Sequence, residues 1–329
     1  MLVGYPASTK STYTRTHYGN SSRVTVLSRD VLGGTTANLL PLVEESVNQH
    51  KNVILDNTHL TKESRAPFIE LAKRLDARIH AIYFKTSLED CQVRALRRMW
   101  QKYSKIFLLG KPPKGNAAEN DPGVFPPAAL FAARKNLVEP SREEGFDYVS
   151  TVVVEPPKWD GRKYKGKALF LDIDGTVRET EHLPFKYPTS PDQVKLIGDV
   201  DVMRATLNDY RKQGYMLIGI SNQSGIAANK VTEEAVVASF NKTRELLGYT
   251  EAEFPIMYCP HGPVPVRCYC RKPQVGIPIM MLEKFKLNPI NSILVGDMKT
   301  DETVAVRAGM QFILAKDFWK QTAGARSST

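Results

Sequence analysis

Long apolar runs are missing from this chain. No stretch approaches the roughly 20 consecutive apolar residues that a membrane-spanning helix requires. The start, Met1 to Gly4, runs straight into a loop signature without the basic and then apolar segments of a secretory leader. On these grounds the expected location is the cytoplasm, with no membrane partner. Cysteine is scarce as well: there are four, three of them between positions 259 and 270. A disulfide scaffold spreads its cysteines through a short secreted chain, so this clustering points to metal instead. No internal repeat and no low-complexity tract stands out, which leaves ordinary globular domains.

What is present agrees with that. The chain has 329 residues, 42% of them apolar and 24% charged, within the soluble globular range. That length suits two domains of roughly 150 residues each. A net charge of +10 and a pI near 9.3 favour anionic partners such as nucleic acid or nucleotides.

The first half alternates short apolar runs (Arg23 to Leu27, Asn52 to Leu55, Ile79 to Phe84) with helical patterns around Pro41 to Gln49 and Lys62 to Leu75. Such alternation predicts an α/β domain with a parallel sheet flanked by helices. From Leu108 to Pro127 the chain is too polar and too rich in Gly and Pro for helix or strand, and reads as a mobile lid or disordered loop. The expected boundaries are a first domain over 1–155, a basic linker over 156–166, and a second domain over 167–329. In that second domain Ala168 to Ile173, Met216 to Ser221 and Ser292 to Val295 are strand-like runs, each ending in polar residues. Ligand sites in parallel sheets gather at those ends. The small polar tail from Thr322 is expected to fray.

Asp172-Ile-Asp174-Gly-Thr176 puts two carboxylates two residues apart at the tip of a buried strand, where alternation faces them the same way. One can attack phosphorus while its neighbour handles protons. A carboxylate approaching a phosphate monoester meets like charge, so the chemistry needs a divalent cation and a lysine. Ser221, Lys272 in Arg-Lys-Pro, and Gly296-Asp297-Met-Lys-Thr-Asp301 supply the remaining pieces. In this order the motifs resemble those of the haloacid dehalogenase phosphatase superfamily, over about residues 167 to 316. The resemblance implies a Rossmann-like fold, with Asp172 as the nucleophile that becomes a phosphoaspartate and Asp174 as general acid and base. It implies Mg2+ on Asp172, Asp297 and the backbone carbonyl of Asp174, with Asp301 supporting the metal. Ser221 and Lys272 would hold the phosphate, and Asn222 would lie against the substrate.

Between these motifs, Cys259-Pro-His261 and Cys268-Tyr-Cys270 offer four ligands that suit a closed tetrahedral zinc site. Four protein ligands leave no open position, so the zinc is structural and fixes the loop that presents Lys272. The pattern resembles the zinc loop of the histidinol-phosphate and heptose-bisphosphate phosphatase branch. Cys91 stands apart and reads as a packed thiol.

In the first half, Gly4-Tyr-Pro-Ala-Ser8-Thr9-Lys10-Ser11-Thr12 has the context of a nucleotide-binding P-loop. Its amides would cradle the phosphates of ATP, Lys10 would reach the outer ones, and Ser11 would face Mg2+. Thr9 departs from the pattern, which asks for Gly; its Cβ crowds the phosphate or resists the backbone angles. The preceding strand is short as well. With Ser28-Arg29-Asp30, Asp56-Asn57-Thr58-His59 and the Arg94, Arg97, Arg98 helix, the order resembles the kinase domain of the bacteriophage-type polynucleotide 5′-kinase and 3′-phosphatase family. That resemblance makes Asp30 the general base and Arg98 the clamp on the γ-phosphate, with Arg94 sharing either the phosphate or the lid contact. Arg29, Asn57 and Thr58 become candidates for holding the acceptor strand.

Together the two halves read as an enzyme that heals nucleic-acid ends for a ligase. Two alternatives stand beside it. One is a histidinol-phosphate or sugar-phosphate phosphatase fused to a small-molecule kinase. The other is an active phosphatase tethered by a P-loop domain that only binds nucleic acid. No short motif separates DNA from RNA, because contacts to the 2′-hydroxyl leave none.

Overall fold

The structure is a computed structural model that describes residues 1–324; residues 325–329, part of the tail expected to fray, lie outside the described residues. It divides into two compact units, Met1–Ala95 with Asn120–Pro157 and Leu96–Glu119 with Lys158–Thr329. The stretch Leu96–Glu119 thus belongs with the second unit, although the sequence places it in the first domain. Among the described residues no helix is long and apolar enough to cross a membrane.

The first unit holds β1 (Leu2–Val3), α1 (Lys10–Tyr18), β2 (Val24–Leu27), α2 (Arg29–Leu32), α3 (Leu40–Asn48), β3 (Asn52–Leu55), α4 (Lys62–Arg74) and β4 (His80–Lys85). The helix α5 (Leu88–Tyr103) begins there, and α6 (Pro127–Asn136) and β5 (Tyr148–Val153) complete it. All its strand pairs are parallel, but they form two sheets, β1-β4-β5 and β2-β3. The two-residue β1 is too short to carry a ladder on both sides; just past it, the Gly4 amide bonds the Thr58 carbonyl, beyond the end of β3, at 3.0 Å. Val3, Leu27, Leu55, Phe68 and Ala81 form the centre of its core. The turn after β3 is pinned by Arg65, whose buried guanidinium meets Glu144 through two bonds of 2.7 Å and also reaches the carbonyls of His59 and Val138. A buried arginine is tolerable only when paired and fully bonded in this way.

The second unit is a five-stranded parallel sheet in the order β10-β9-β6-β7-β8. In chain order it comprises β6 (Lys167–Asp172), α7 (Val200–Lys212), β7 (Tyr215–Asn222), α8 (Ser224–Ala227), α9 (Glu233–Leu247), β8 (Ile256–Cys259), α10 (Gly276–Phe285), β9 (Ile293–Gly296), α11 (Lys299–Ala308), β10 (Gln311–Leu314) and α12 (Ala315–Gly324). Central β6 is covered on both faces, so Ala168, Leu169, Phe170 and Leu171 read as one apolar run and are wholly buried. Because β6, β7 and β9 are parallel neighbours, Asp172, Ser221 and Asp297 arrive at the same edge.

The linker is not a loose tether. Tyr164 is buried and donates to Glu283 at 2.7 Å, while the Arg97 guanidinium sits 4.0 Å over the Trp159 ring and bonds Glu283 and the Lys158 carbonyl. Two aromatic rings, Trp159 and Tyr164, and the buried Glu283 carboxylate hold part of the basic linker. Residues 108–126 form neither helix nor strand, and close on themselves through turns such as Asn116 to Pro113 and Val124 to Asp121.

Candidate active sites

The second unit opens at the carboxyl edge of its sheet into a cleft of about 710 Å³ lined by Asp172, Asp174, Ser221, Asn222, Lys272, Asp297 and Asp301. All the expected phosphatase residues therefore meet in one place. The Lys272 ammonium bridges two carboxylates, donating to Asp172 and standing 2.7 Å from Asp301. Its backbone is locked by Asn222, whose side chain accepts from the Lys272 amide at 2.9 Å and donates to the Lys272 carbonyl at 3.2 Å. Asn222 thus holds the lysine in position. The hydroxyl of Thr176 donates to Asp172 at 3.2 Å.

Asp174 points its carboxylate at a different set of donors. Ser221 Oγ lies 3.3 Å and Gln223 Nε2 2.7 Å from Oδ2, and Arg178 Nε lies 2.6 Å from Oδ1. Gln223 and Arg178 were not anticipated. Gln223 follows Ser221 by two residues, so strand alternation could have placed it beside Ser221; Arg178 comes back to Asp174 only because the chain turns sharply in between.

Asp172, Asp297 and Asp301 can bring carboxylate oxygens within 4.8 Å of one another. Burial pushes the Asp172 carboxyl up to about 7; Lys272 opposes that rise and Asp301 adds to it. Burial, then Asp301, raises Asp297 too. Burial alone would lower the Lys272 ammonium, but Asp172 and Asp301 together hold it above its ordinary value. Such a set calls for a hard cation. Gly175 leaves room for it: at φ +87° it suits glycine, and a Cβ there would come within 2.3 Å of Asp297 Oδ2. The residues therefore fit a divalent metal.

Beside the cleft, Cys259, His261, Cys268 and Cys270 bring their ligand atoms within 4.8 Å of one another. The Cys259 and Cys268 sulfurs are 3.7 Å apart, and His261 Nδ1 lies 3.4 Å from Cys259 and 3.3 Å from Cys270. Tetrahedral ligands about 2.3 Å from a metal are separated by distances of this order. Three thiols this close cannot all ionise alone. Bonds from Cys259 and Cys270 hold the Cys268 thiol far down, at about 2, while contact with Cys268 pushes Cys259 up to about 11 and contact with Cys259 pushes Cys270 higher still. A bound cation removes that conflict. Cys91 is a free, buried thiol raised to about 11 by burial, in keeping with simple packing.

In the first unit the loop from Gly4 wraps into the N-terminus of α1. Lys10 is turned back onto it, donating to the carbonyls of Gly4 at 3.0 Å and Tyr5 at 2.6 Å and to Ser8 Oγ at 3.2 Å. Thr9 has φ 69° and ψ 9°, left-handed, as a glycine would adopt; a β-branched residue is strained there. A Cβ on Gly4 would lie 3.1 Å from the Phe84 carbonyl. Ser11 and Thr12 begin α1 and are exposed. Asp56, at the end of β3, was passed over in the sequence although its run was noted. It is buried, raised by that burial, hydrogen-bonded to Ser11, and close enough to Lys10 and Asp30 to feel both charges. Asp30 lies exposed on α2. Arg29 uses its amide to bind Asn57 Oδ1 at 3.0 Å, and Thr58 and Asn57 line a small polar cavity with Arg29. Arg94 bonds Thr86 at 3.1 Å and the Glu155 carbonyl, so its guanidinium anchors the chain end of this unit. Arg98 is exposed and falls among the residues of the second unit.

Comparison with known proteins follows this division. Residues 1–108 match the family model described as AAA domain, and residues 167–319 match that described as polynucleotide kinase 3 phosphatase. The D-glycero-beta-D-manno-heptose-1,7-bisphosphate 7-phosphatase of Haemophilus influenzae is 34% identical over 153 residues, 43% of this chain and 77% of that protein. The histidine biosynthesis bifunctional protein HisB of Actinobacillus pleuropneumoniae is 30% identical over 144 residues, 44% of this chain and 38% of that protein. Among solved structures, one described as a Pnkp1/Rnl/Hen1 complex aligns with 95% of this chain and 94% of its own, at 19% identity and a TM-score of 0.32.

Proposed function

We propose that this chain, which belongs to the haloacid dehalogenase phosphatases and joins such a domain to an AAA-type kinase domain in the architecture of the polynucleotide kinase-phosphatases, heals nucleic-acid ends. It removes a 3′-phosphate and, using ATP, phosphorylates a 5′-hydroxyl, leaving ends that a ligase can join in the cytoplasm. The observation that carries this reading over a sugar-phosphate substrate is the rim of the phosphatase cleft. Phe185, Lys186, Tyr187, Arg267 and Arg271 line it, Phe185 is 44% exposed, and the Phe185 and Tyr187 rings stack with centroids 5.9 Å apart. An exposed ring stacked on a half-buried one, beside Arg267, Arg271 and a Lys186 that pairs with Glu181 at 2.6 Å, suits bases and phosphates of a single strand.

In the phosphatase, Asp172 attacks phosphorus, the bond from phosphorus to O3′ breaks, and the departing oxygen takes a proton from Asp174. Water then attacks the phosphoaspartate, gives its proton to Asp174, and orthophosphate leaves as the bond to Asp172 breaks. Lys272, with Ser221, neutralises charge on the phosphoryl oxygens. Asp172, Asp297 and the Asp174 carbonyl would hold Mg2+, with Asp301 supporting, and the ion supplies charge neutralisation at the phosphate. Cys259, His261, Cys268 and Cys270 would hold a structural zinc, which would fix the loop that ends in Lys272.

In the kinase, Lys10 leaves the loop carbonyls for the ATP phosphates, Ser11 and Asp56 would hold Mg2+, and Asp30 draws the proton from the 5′-hydroxyl. Arg29, Asn57 and Thr58 receive the acceptor strand. The test is incubation with ATP and matched DNA and RNA oligonucleotides bearing 5′-hydroxyl and 3′-phosphate ends. Lys10→Ala should abolish 5′ labelling alone and Asp172→Asn phosphate release alone. No reaction at either end would remove the proposal.

The heptose bisphosphate phosphatase similarity favours a second reading, a small-molecule phosphatase. It differs from the first by its preference for a sugar bisphosphate over an oligonucleotide.

A further inference from the structure

Arg178 stands outside the roles assigned above, and its surroundings are unusual. Its side chain is 1% exposed, beside an Asp174 side chain that is 16% exposed and lines the cleft. The guanidinium grips that carboxylate with two prongs, Nε to Oδ1 at 2.6 Å and Nη2 to Oδ2 at 3.3 Å. Its remaining surroundings are Phe240, whose ring centroid is 5.1 Å away, and Thr243 Oγ1 at 3.5 Å. The backbone builds this grip. The amides of Val177 and Arg178 both donate to the Ile173 carbonyl, and the Gly175 amide donates to the Arg178 carbonyl at 3.0 Å, closing a tight loop from 173 to 178. That loop needs Gly175 at φ +87° and delivers the residue four places after Asp174 back onto it.

A planar fork fixes a carboxylate in a plane as well as in place. Gln223 and Ser221 hold the same group from the β7 side through Oδ2 alone. Among the described residues Arg178 is the one bonded to both oxygens. The geometry points to Arg178 as a positioning residue that orients the Asp174 carboxyl for proton transfer to the departing oxygen. This rests on the reading of Asp174 as the general acid.

The test compares the first turnover of two substrates in metal-loaded enzyme. The O3′ of a nucleotide leaves as a poor alkoxide and needs the proton; 4-nitrophenolate leaves without one. In Arg178→Met the first turnover of the 3′-phosphate oligonucleotide should fall about 100-fold, the scale of general acid catalysis, while that of 4-nitrophenyl phosphate changes by less than about tenfold. Arg178→Lys, which keeps the charge and loses the fork, should recover only part of the difference. Should the Met variant fail to fold, judged by thermal unfolding, Arg178→Gln takes its place beside the Lys variant. Equal losses on both substrates would overturn the proposal and leave a purely structural arginine. Asp174→Asn, run alongside, separates the premises: equal losses there remove the acid role itself, whereas discrimination by Asp174→Asn without discrimination at Arg178 removes only the inference drawn here.

Discussion

The two lysines of the two sites are held in opposite ways. Lys272 lies between the carboxylates of Asp172 and Asp301, with its backbone locked by Asn222 and a Cys/His cluster two residues upstream. Lys10 lies on the carbonyls of its own loop, next to a threonine in a left-handed conformation. One ammonium is fixed by its reaction partners before any substrate arrives; the other must exchange neutral carbonyls for phosphate. Preorganised charge of the first kind costs little at the moment of reaction. The phosphatase site is thus built in advance, and the kinase site is completed by its nucleotide.

The largest expected effect breaks the stronger site. Asp172→Asn should lower 3′-phosphate release at least about 1000-fold, on the scale seen when a nucleophile is removed. The 5′ labelling should continue at its original rate; a loss of both would show that the sites are not separate. Disruption of the metal cluster comes next. Cys268→Ser, or a zinc-selective chelator in excess Mg2+, should release about one zinc per chain, since structural sites of this kind contribute on the order of 10 kcal/mol to local order. Phosphatase activity should fall with it while ATP turnover persists. Full zinc content and unchanged phosphatase in the variant would contradict the assignment.

A smaller effect sharpens the other side. Thr9 occupies a conformation that costs a non-glycine residue roughly 1–2 kcal/mol. Thr9→Gly should therefore raise the stability of the first unit by up to about that amount, read by chemical denaturation, and leave ATP affinity within about threefold; a marked loss of ATP binding would mean that the threonine side chain itself holds the nucleotide.

The smallest expected effect is on pH dependence. In the metal-free fold Asp172 titrates at about 7, against 3.8 as its ordinary value. The native state then binds the extra proton between those values, so this group's contribution to stability is present below the ordinary value and is lost as pH rises towards 7. Mg2+ should raise the melting temperature more at pH 8 than at pH 5, because at the lower pH the ion displaces that proton. The difference should vanish in Asp172→Asn.

Much of the phosphatase half was legible because its chemistry sits at strand ends. A buried apolar run announces β6, and the polar residues that stop it are Asp172 and Asp174. The four cluster ligands fall within twelve positions, so their proximity needed little folding to infer. Gln223 was within reach of strand alternation past Ser221, whereas Arg178 was hidden by a turn whose return angle is set by Gly175 and not by any periodicity. In the kinase half the signals were weaker because the elements are shorter. Two-residue β1 carries no pattern, β5 (Tyr148–Val153) has only half-buried alternation, and Asp56 looked like one residue of a turn until burial set it against Ser11. In the linker the lysines are visible in composition, while the packing of Trp159 and Tyr164 against Arg97 is tertiary and left no signal.

The most direct test of the central claim is a competition assay for the phosphatase, with kcat/KM measured for a 3′-phosphate oligonucleotide and for a heptose bisphosphate under the same Mg2+. An end-healing enzyme with an open, aromatic and basic rim should prefer the oligonucleotide by at least about 100-fold, roughly 3 kcal/mol of transition-state binding. Preference for the sugar by a similar margin would contradict the account.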